Sequence, residues 1–411
     1  MGNQTNWQIE QGCPQCGAPV TLDETDRLLA CPFCRTRLYL SAKDHFRYYI
    51  PPAAGAQGEL IYIPYWRLRG SAFSATGAEV IHRFADTSAL ALNFPGLPSS
   101  LGLRPQVLKL RFASPEAAGR FIAPDLPRDA AVYGPESDPP GVFTRVFIGD
   151  TVSLIHAPLF LRGGTLFDAI LERPVCPCGA DERERLLAAP PAVSGKIRFV
   201  PTLCPRCGWD MEGERDSLVL ICRNCNSAWD CPEETFTALE FTVMTPPPET
   251  GEISLYLPFW RMKPRVTGVE LASYADLIRL ANLPKAVTPA FEAAPLYCWS
   301  PAFKINPALY LRWARQMTLF QPLGEETDRL PEAALYPATL PLREAAEGII
   351  VTLAEMLANK RNLHPRLSGI QVAVDEYRLE YHPFVLNRNE FLHASLGVAL
   401  DRTALAYGIR M

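Results

Sequence analysis

The sequence predicts an internally duplicated α+β protein. Each half is a small four-cysteine metal knuckle followed by a strand-rich mixed domain with a few helices. Three observations lead there. Cys13 and Cys16 stand two residues either side of nothing larger than Pro14–Gln15, and fourteen residues later Cys31 and Cys34 repeat the spacing; Cys204, Cys207, Cys222 and Cys225 repeat the whole set. A tract of one kind follows each set, YIPYWRLRG after the first and YLPFWRMK after the second. Proline, at 39 of 411 residues, is nearly twice its usual frequency of about 5%, which disfavours a helical bundle and favours short strands and turns.

Composition bounds the rest. Hydrophobic content of 48% and charged content of 20% describe a globular chain with room for two or three cores. Net charge of −4 supplies no global field toward nucleic acid or anionic lipid. The opening MGNQTNWQIEQG lacks the pattern of a signal peptide, and no apolar run reaches the ~20 residues of a membrane helix. The compartment expected is cytoplasmic, where eight cysteines in C-x-x-C pairs point to metal instead of disulfides.

Two C-x-x-C pairs at the ends of a short hairpin offer four sulfurs to one ion in the tetrahedral arrangement Zn²⁺ prefers. Gly17 suits the knuckle, where the chain must turn sharply. Each set resembles a zinc ribbon, and the ribbon followed by a Pro-aromatic-Trp strand is similar to uncharacterised bacterial zinc-ribbon proteins. The resemblance implies two structural Zn²⁺ ions and, for the family at large, either nucleic-acid binding or docking in larger assemblies. Four thiolates also suit iron, so a rubredoxin-like electron carrier is an alternative.

In chain order, residues 1–45 read as the first ribbon, with a hairpin joining Val20 and Leu22 to Leu28 and Leu29 across the acidic turn DETD. Residues 46–175 read as the first α+β domain. Its YIPYWRLRG tract is apolar on both faces, with Pro64 placing it at an edge or bulge. Residues 71–113 read as irregular, a short helix is expected from Ser114 and Pro115, and VFTRVFIG and TVSLIHAPLFLRG read as strands closed by a turn at Gly163 and Gly164. Residues 176–203 read as a linker and 204–235 as the second ribbon. Residues 236–411 read as a repeat of the first domain with helical insertions, the clearest being one amphipathic helix over 341–361 striped by Leu342, Ala346, Ile349, Ile350, Leu353 and Leu357.

The repeat extends beyond the cysteines. Pro64 matches Pro258 at an offset of 194, and LIHAPLFLRGG matches LEYHPFVLNRN with Pro158 on Pro383 at an offset of 225. Such a chain is expected to pack as a pseudo-dimer. Cys176, Cys178, Cys231 and Cys298 leave two options open, a third metal site or buried thiols. His156 and His382 flank the repeated proline at unlike distances, so a shared ligand role does not follow. Tyr65, Trp66, Phe259 and Trp260 are either core aromatics or an exposed partner-binding platform. No motif of nucleophilic, metallohydrolase, phosphate-loop or dinucleotide chemistry occurs. The ribbons carry acids (Asp23, Glu24 and Asp26; Asp210, Glu212, Glu214, Asp216 and Asp230) that count against phosphate binding. The function expected is a non-catalytic scaffold or adaptor that docks to another protein.

Overall fold

The computed structural model describes residues 7–42, 44–54, 58–102, 108–114, 117–133, 141–188, 197–232 and 234–408. It is strand-rich, with 41% strand against 19% helix. In the first cysteine unit, β1 (Gln8–Gly12) pairs antiparallel with β2 (Pro19–Asp23), and β3 (Leu28–Ala30) with β4 (Arg37–Ser41). The hairpin expected between Val20–Leu22 and Leu28–Leu29 is therefore corrected: each strand pairs across its own cysteine knuckle. The acidic turn between them folds inward instead of closing a ladder, with the Asp23 N–H bound to the Asp26 carboxylate at 2.8 Å.

An eight-stranded sheet follows, made of β5 (Phe46–Tyr49), β6 (Leu60–Thr76), β7 (Val80–Leu90), β8 (Arg111–Phe112), β9 (Arg120–Phe121), β10 (Val142–Arg162), β11 (Thr165–Asp168) and β12 (Pro174–Pro177). Its spine is the antiparallel β6–β10 pair, which runs from Thr76 opposite Val142 to Leu60 opposite Phe160. The two strands expected on either side of Gly149 are one, with register shifts between Val142 and Thr144 and between Gly149 and Thr151. Gly163 and Gly164, both at positive φ, make the two-residue turn into β11. The reading of 71–113 as irregular is corrected for its first part, while 91–102 carry no helix or strand, as expected. Residues 71–76 extend β6, and β7 returns along it with Ala75 opposite Val80. Of the expected helix after Ser114, residues 115–116 lie outside the described residues, while Arg120 and Phe121 pair as strand with Ile61 and Tyr62. The helix α1 (Arg128–Tyr133) instead comes later.

Residues 176–203 are more than a tether. They carry the end of β12, the helix α2 (Ala180–Ala188) and β13 (Arg198–Pro201), which pairs with β4 of the first ribbon. In the second cysteine unit β14 (Val219–Cys222) pairs with β15 (Ser227–Asp230), and β15 with β16 (Thr237–Leu239). Leu28 opposite Tyr39 and Val219 opposite Asp230 are one register displaced by 191 residues.

The second large sheet contains β17 (Phe241–Met244), β18 (Leu255–Thr267), β19 (Cys298–Pro301), β20 (Glu326–Thr327), β21 (Gln371–Asn387), β22 (Glu390–His393) and β23 (Ala399–Asp401). Its spine is β18–β21, with Tyr256 opposite Pro383 where the first sheet has Tyr62 opposite Pro158. Each spine carries a short parallel strand on the same partner, β5 on β10 and β17 on β21.

Helices fill the second half: α3 (Tyr274–Leu280), α4 (Pro289–Ala293), α5 (Pro307–Phe320), α6 (Leu342–Glu347), α7 (Ile349–Met356), α8 (Lys360–Leu363) and α9 (Arg402–Gly408). Ser273 and Asp276 form a capping box at α3, and the Asn306 side chain caps α5 ahead of Pro307. The single helix expected over 341–361 is corrected to α6 and α7, broken at Gly348 and ended at Met356. At Gly348 the Tyr310 hydroxyl and Ile148 Cδ1 approach so closely that a Cβ would lie 3.1 Å from the latter and nearer still to the former. Tyr310 belongs to α5 and Ile148 to the first sheet, so the break lets two layers close.

The halves share that core through unlike surfaces. Phe73, Ala75, Val80, Val146 and Ile148 of the first sheet are buried in one cluster with Tyr310, Ile349, Leu353 and Leu357 of the helices. The Phe73 and Tyr310 rings lie 5.7 Å apart, and His364 hydrogen-bonds the Thr76 carbonyl across the junction. Replacing Gly348 by alanine should overpack this junction and cost about 1–3 kcal/mol. Chemical denaturation measures the loss, and Tyr310→Phe in the same chain should recover part of it.

Candidate metal centres

Each four-cysteine set converges on a point. In the first, Sγ of Cys13 lies 3.7 Å from that of Cys34, and Cys16 3.7 Å from Cys31. In the second, Cys204 lies 3.6 Å from Cys225, and Cys207 3.5 Å from Cys222. Within each set all four sulfurs lie within 4.8 Å of one another. A tetrahedron with metal–sulfur bonds of about 2.3 Å has edges of about 3.8 Å, whereas a disulfide bond is about 2.05 Å. The sulfurs thus stand at the spacing of a four-thiolate site, and two zinc-ribbon-like metal sites fit the eight cysteines.

The backbone explains the spacing. Gly17 and Gly208 take φ of +76° and +73° and return their N–H groups to the Cys13 and Cys204 carbonyls, both at 2.8 Å. Nothing lies within 4 Å of a Cβ built on either, so conformation alone selects glycine. In each set the first cysteine of each knuckle is buried (Cys13, Cys31, Cys204, Cys222), while Cys16, Cys34 and Cys207 are exposed and Cys225 is half-buried. The third site is corrected: among the described residues Cys176, Cys178, Cys231 and Cys298 join no cluster of ligand groups. All four are buried, and burial raises each thiol, that of Cys298 to about 12.

The ribbons are joined to each other and to the sheets by charge. The Arg27 and Leu28 N–H groups donate to the Arg215 carbonyl at 2.6 and 2.9 Å, and the Arg215 guanidinium pairs with Asp26. Glu24, only 2% exposed, accepts from Arg67 at 2.8 and 3.0 Å, and Arg67 also pairs with Asp86 and lies over the Trp7 ring. Glu24 and Asp26 are therefore internal partners, and not part of the outward-facing acidic field expected at this turn. The second tract repeats the device. Arg261 pairs with buried Glu380 at 3.0 Å and lies 3.8 Å from the Tyr297 ring centroid. An arginine after the Trp of each largely apolar tract, Arg67 and Arg261, was the sequence signal for these pairs; their acidic partners, distant along the chain, had none.

Tyr65, Trp66, Phe259 and Trp260 are 3, 8, 0 and 3% exposed, which corrects their reading as a partner platform. The Trp66 and Trp260 indoles both donate to main-chain carbonyls, those of Leu126 and Leu340, at 2.8 Å. Covered on both faces, these aromatics have no surface left to offer a partner. His156 is buried with Nδ1 3.1 Å from the Tyr48 carbonyl. His382 belongs to a different network: the Ser395 N–H reaches His393 Nδ1 at 3.1 Å, His393 Nε2 faces His382 Nδ1 at 3.1 Å, and His382 Nε2 faces Glu380 at 3.3 Å. Because the main-chain N–H can only donate, His393 carries its proton on Nε2, and His382 does the same to reach Glu380. Burial works to raise the Glu380 carboxyl, but donation from His382 and Trp299 and the Arg261 charge hold it at about 2.

No protein-family model matches the chain, and no curated protein or solved structure does either. The metal sites therefore stand on their own geometry.

Replacing Glu24 by glutamine should leave the Arg67 guanidinium buried beside half its counter-charge and cost about 3 kcal/mol in denaturant unfolding, more than Glu10→Gln at an exposed pair. Burial, with the neighbouring His382, lowers the His393 pKa to about 2, against about 6.5 in the unfolded chain. Its contribution to stability is then full above pH ~6.5 and falls by about 1.4 kcal/mol per pH unit below it, since only the unfolded state takes up the proton. Imidazole nitrogen NMR at pH 5 should show His393 neutral, as its Nε2–H tautomer.

Proposed function

We propose that this chain is a zinc-stabilised scaffold or adaptor, non-catalytic at its metal sites, that docks to another protein. The observation that supports it most is the donor set. Each site is filled by four protein sulfurs, which leaves no open coordination position for water or substrate. The ions would hold Cys13, Cys16, Cys31 and Cys34 in one ribbon and Cys204, Cys207, Cys222 and Cys225 in the other, supplying folding energy to segments too short for a core. We infer further that the two halves descend from one duplicated module. The ribbon register repeats at an offset of 191, and the sheet spines match with Pro64 and Pro158 answered by Pro258 and Pro383. The halves then pack as unequal partners, because helices α5 to α7 occur only in the second.

The surface for docking is on the ribbon rims. Phe33, inside the second knuckle of the first ribbon, is 67% exposed; Leu203 and Trp209, on the second ribbon, are 50% and 63% exposed. Large apolar side chains beside a rigid metal knuckle lose little entropy when covered, which suits them as anchors.

Elemental analysis of purified protein should return two zincs per chain, and Cys13→Ser should lower this to one. A red, visible-absorbing preparation would instead identify iron. Affinity capture from native lysate should recover a stoichiometric partner that Trp209→Ser loses while keeping both zincs and wild-type stability. Recovery of the monomer alone would overturn the docking reading.

A further inference from the structure

A cleft of about 640 Å³ opens where the first ribbon, the second ribbon, the first sheet and the start of helix α6 meet, and the docking function makes no use of it. Its walls come from segments far apart in sequence, so it exists only in the assembled chain. In size it falls in the range of small-molecule sites, about 300–1,000 Å³.

The charge in the walls is uneven. Arg27, Arg128, Lys304 and Arg343 line it against Asp44, Asp129 and Glu344. Asp44 is already neutralised from outside the cleft, both its oxygens bound by Arg47 at 2.9 and 2.7 Å. Glu344 accepts the Gly149 N–H at 2.8 Å, and burial raises its carboxyl to about 7, so it carries only part of a charge near neutral pH. Asp129 is left with Arg128, at 3.4 Å. Arg343 is likewise paired from outside the cleft, with Glu347 at 3.0 Å, so the positive charge left without a carboxylate partner in the walls centres on Arg27.

Arg27 is the residue the fold leaves incomplete. Its guanidinium lies 4.4 Å from the Phe46 ring centroid, and Nη1 is shielded from solvent with no hydrogen-bond partner. Among the described residues no carboxylate pairs with it. An N–H left buried and unmatched is costly, and the ring face cannot accept it as an oxygen would. An anionic oxygen in the cleft would take up that donor in a charge-assisted bond, the geometry guanidinium groups favour for phosphate and carboxylate. His45, whose Nε2 is also shielded and unmatched, faces the same space.

We propose that this cleft binds a small organic anion bearing phosphate or carboxylate groups, with Arg27 as its anchor and Arg128, Lys304 and Arg343 completing a cationic lining. The site is separate from the ribbon rims, so it stands whether or not these dock to a protein.

Isothermal titration of the full-length, metal-loaded chain at low ionic strength tests it, with pyrophosphate and citrate as probes to separate the two anion classes. One or both should bind saturably at one per chain, with affinity that falls as salt is added. Arg27→Gln should weaken binding by about tenfold or more, and Arg343→Gln, at an exposed wall position, by a few-fold. Arg223→Gln, an ion-paired arginine on the second ribbon outside the cleft, should bind as the parent does. If Arg27→Gln fails to fold, as its thermal transition would show, Arg343→Gln decides. The proposal is overturned if neither anion binds, or if binding is indifferent to the cleft substitutions.

Discussion

Four thiolates at the spacing of these sulfurs, 3.5 to 3.7 Å between the nearest pairs, would need a cation between them. Like charges at that distance repel by several kcal/mol per pair even at an effective dielectric of 20, and a divalent ion reverses the sign of the whole assembly. Every other feature of the ribbons is arranged around keeping those sulfurs at that spacing. The positive-φ glycines turn the knuckles, and the short ladders β1–β2 and β3–β4 fix the distance between them. Ladders this short are marginal alone in water, so an ion held by the four sulfurs would be part of what folds each ribbon.

A second set of buried charges ties these units to the sheets. Glu24 reaches from the first ribbon to Arg67 in the middle of β6, and Arg261 in β18 meets Glu380 in β21. Taking such groups out of water is expensive, and a hydrophobic pair of equal volume is often as stable. What the ions supply is a unique alignment: a guanidinium fork inside an apolar strand accepts one carboxylate geometry and rejects a slipped register. The stacking of Arg67 on Trp7 and of Arg261 on Tyr297 adds to that selection.

The junction between halves is built from the opposite material. It is apolar, and its surfaces are unlike: strands β6, β7 and β10 on one side, helices α5 to α7 on the other. The glycine at position 348 and the register shift after Gly149 are both placed where these layers come closest. The same junction, with the ribbons packed above it, encloses the cleft, so the polar groups there are positioned by metal sites and an apolar core that never touch a ligand themselves.

The eight cysteines of the candidate metal sites, their grouping in two sets and the strand-rich α+β class were legible in the sequence, because each depends on residues within about twenty positions of one another. The repeated prolines pointed to the two sheet spines by another route, the similarity of local tracts far apart in the chain. What tertiary structure alone decided lies at longer range. Whether the turn after Asp23 closes a hairpin depends on Arg67 and Arg215; whether 71–90 is strand depends on cover from helices two hundred residues away; whether 341–361 is one helix depends on Tyr310 and Ile148. The aromatic tracts could have faced solvent or core, and burial on both sides settled it. Local propensity sets which conformations a segment can adopt, and the partners that desolvate it choose among them.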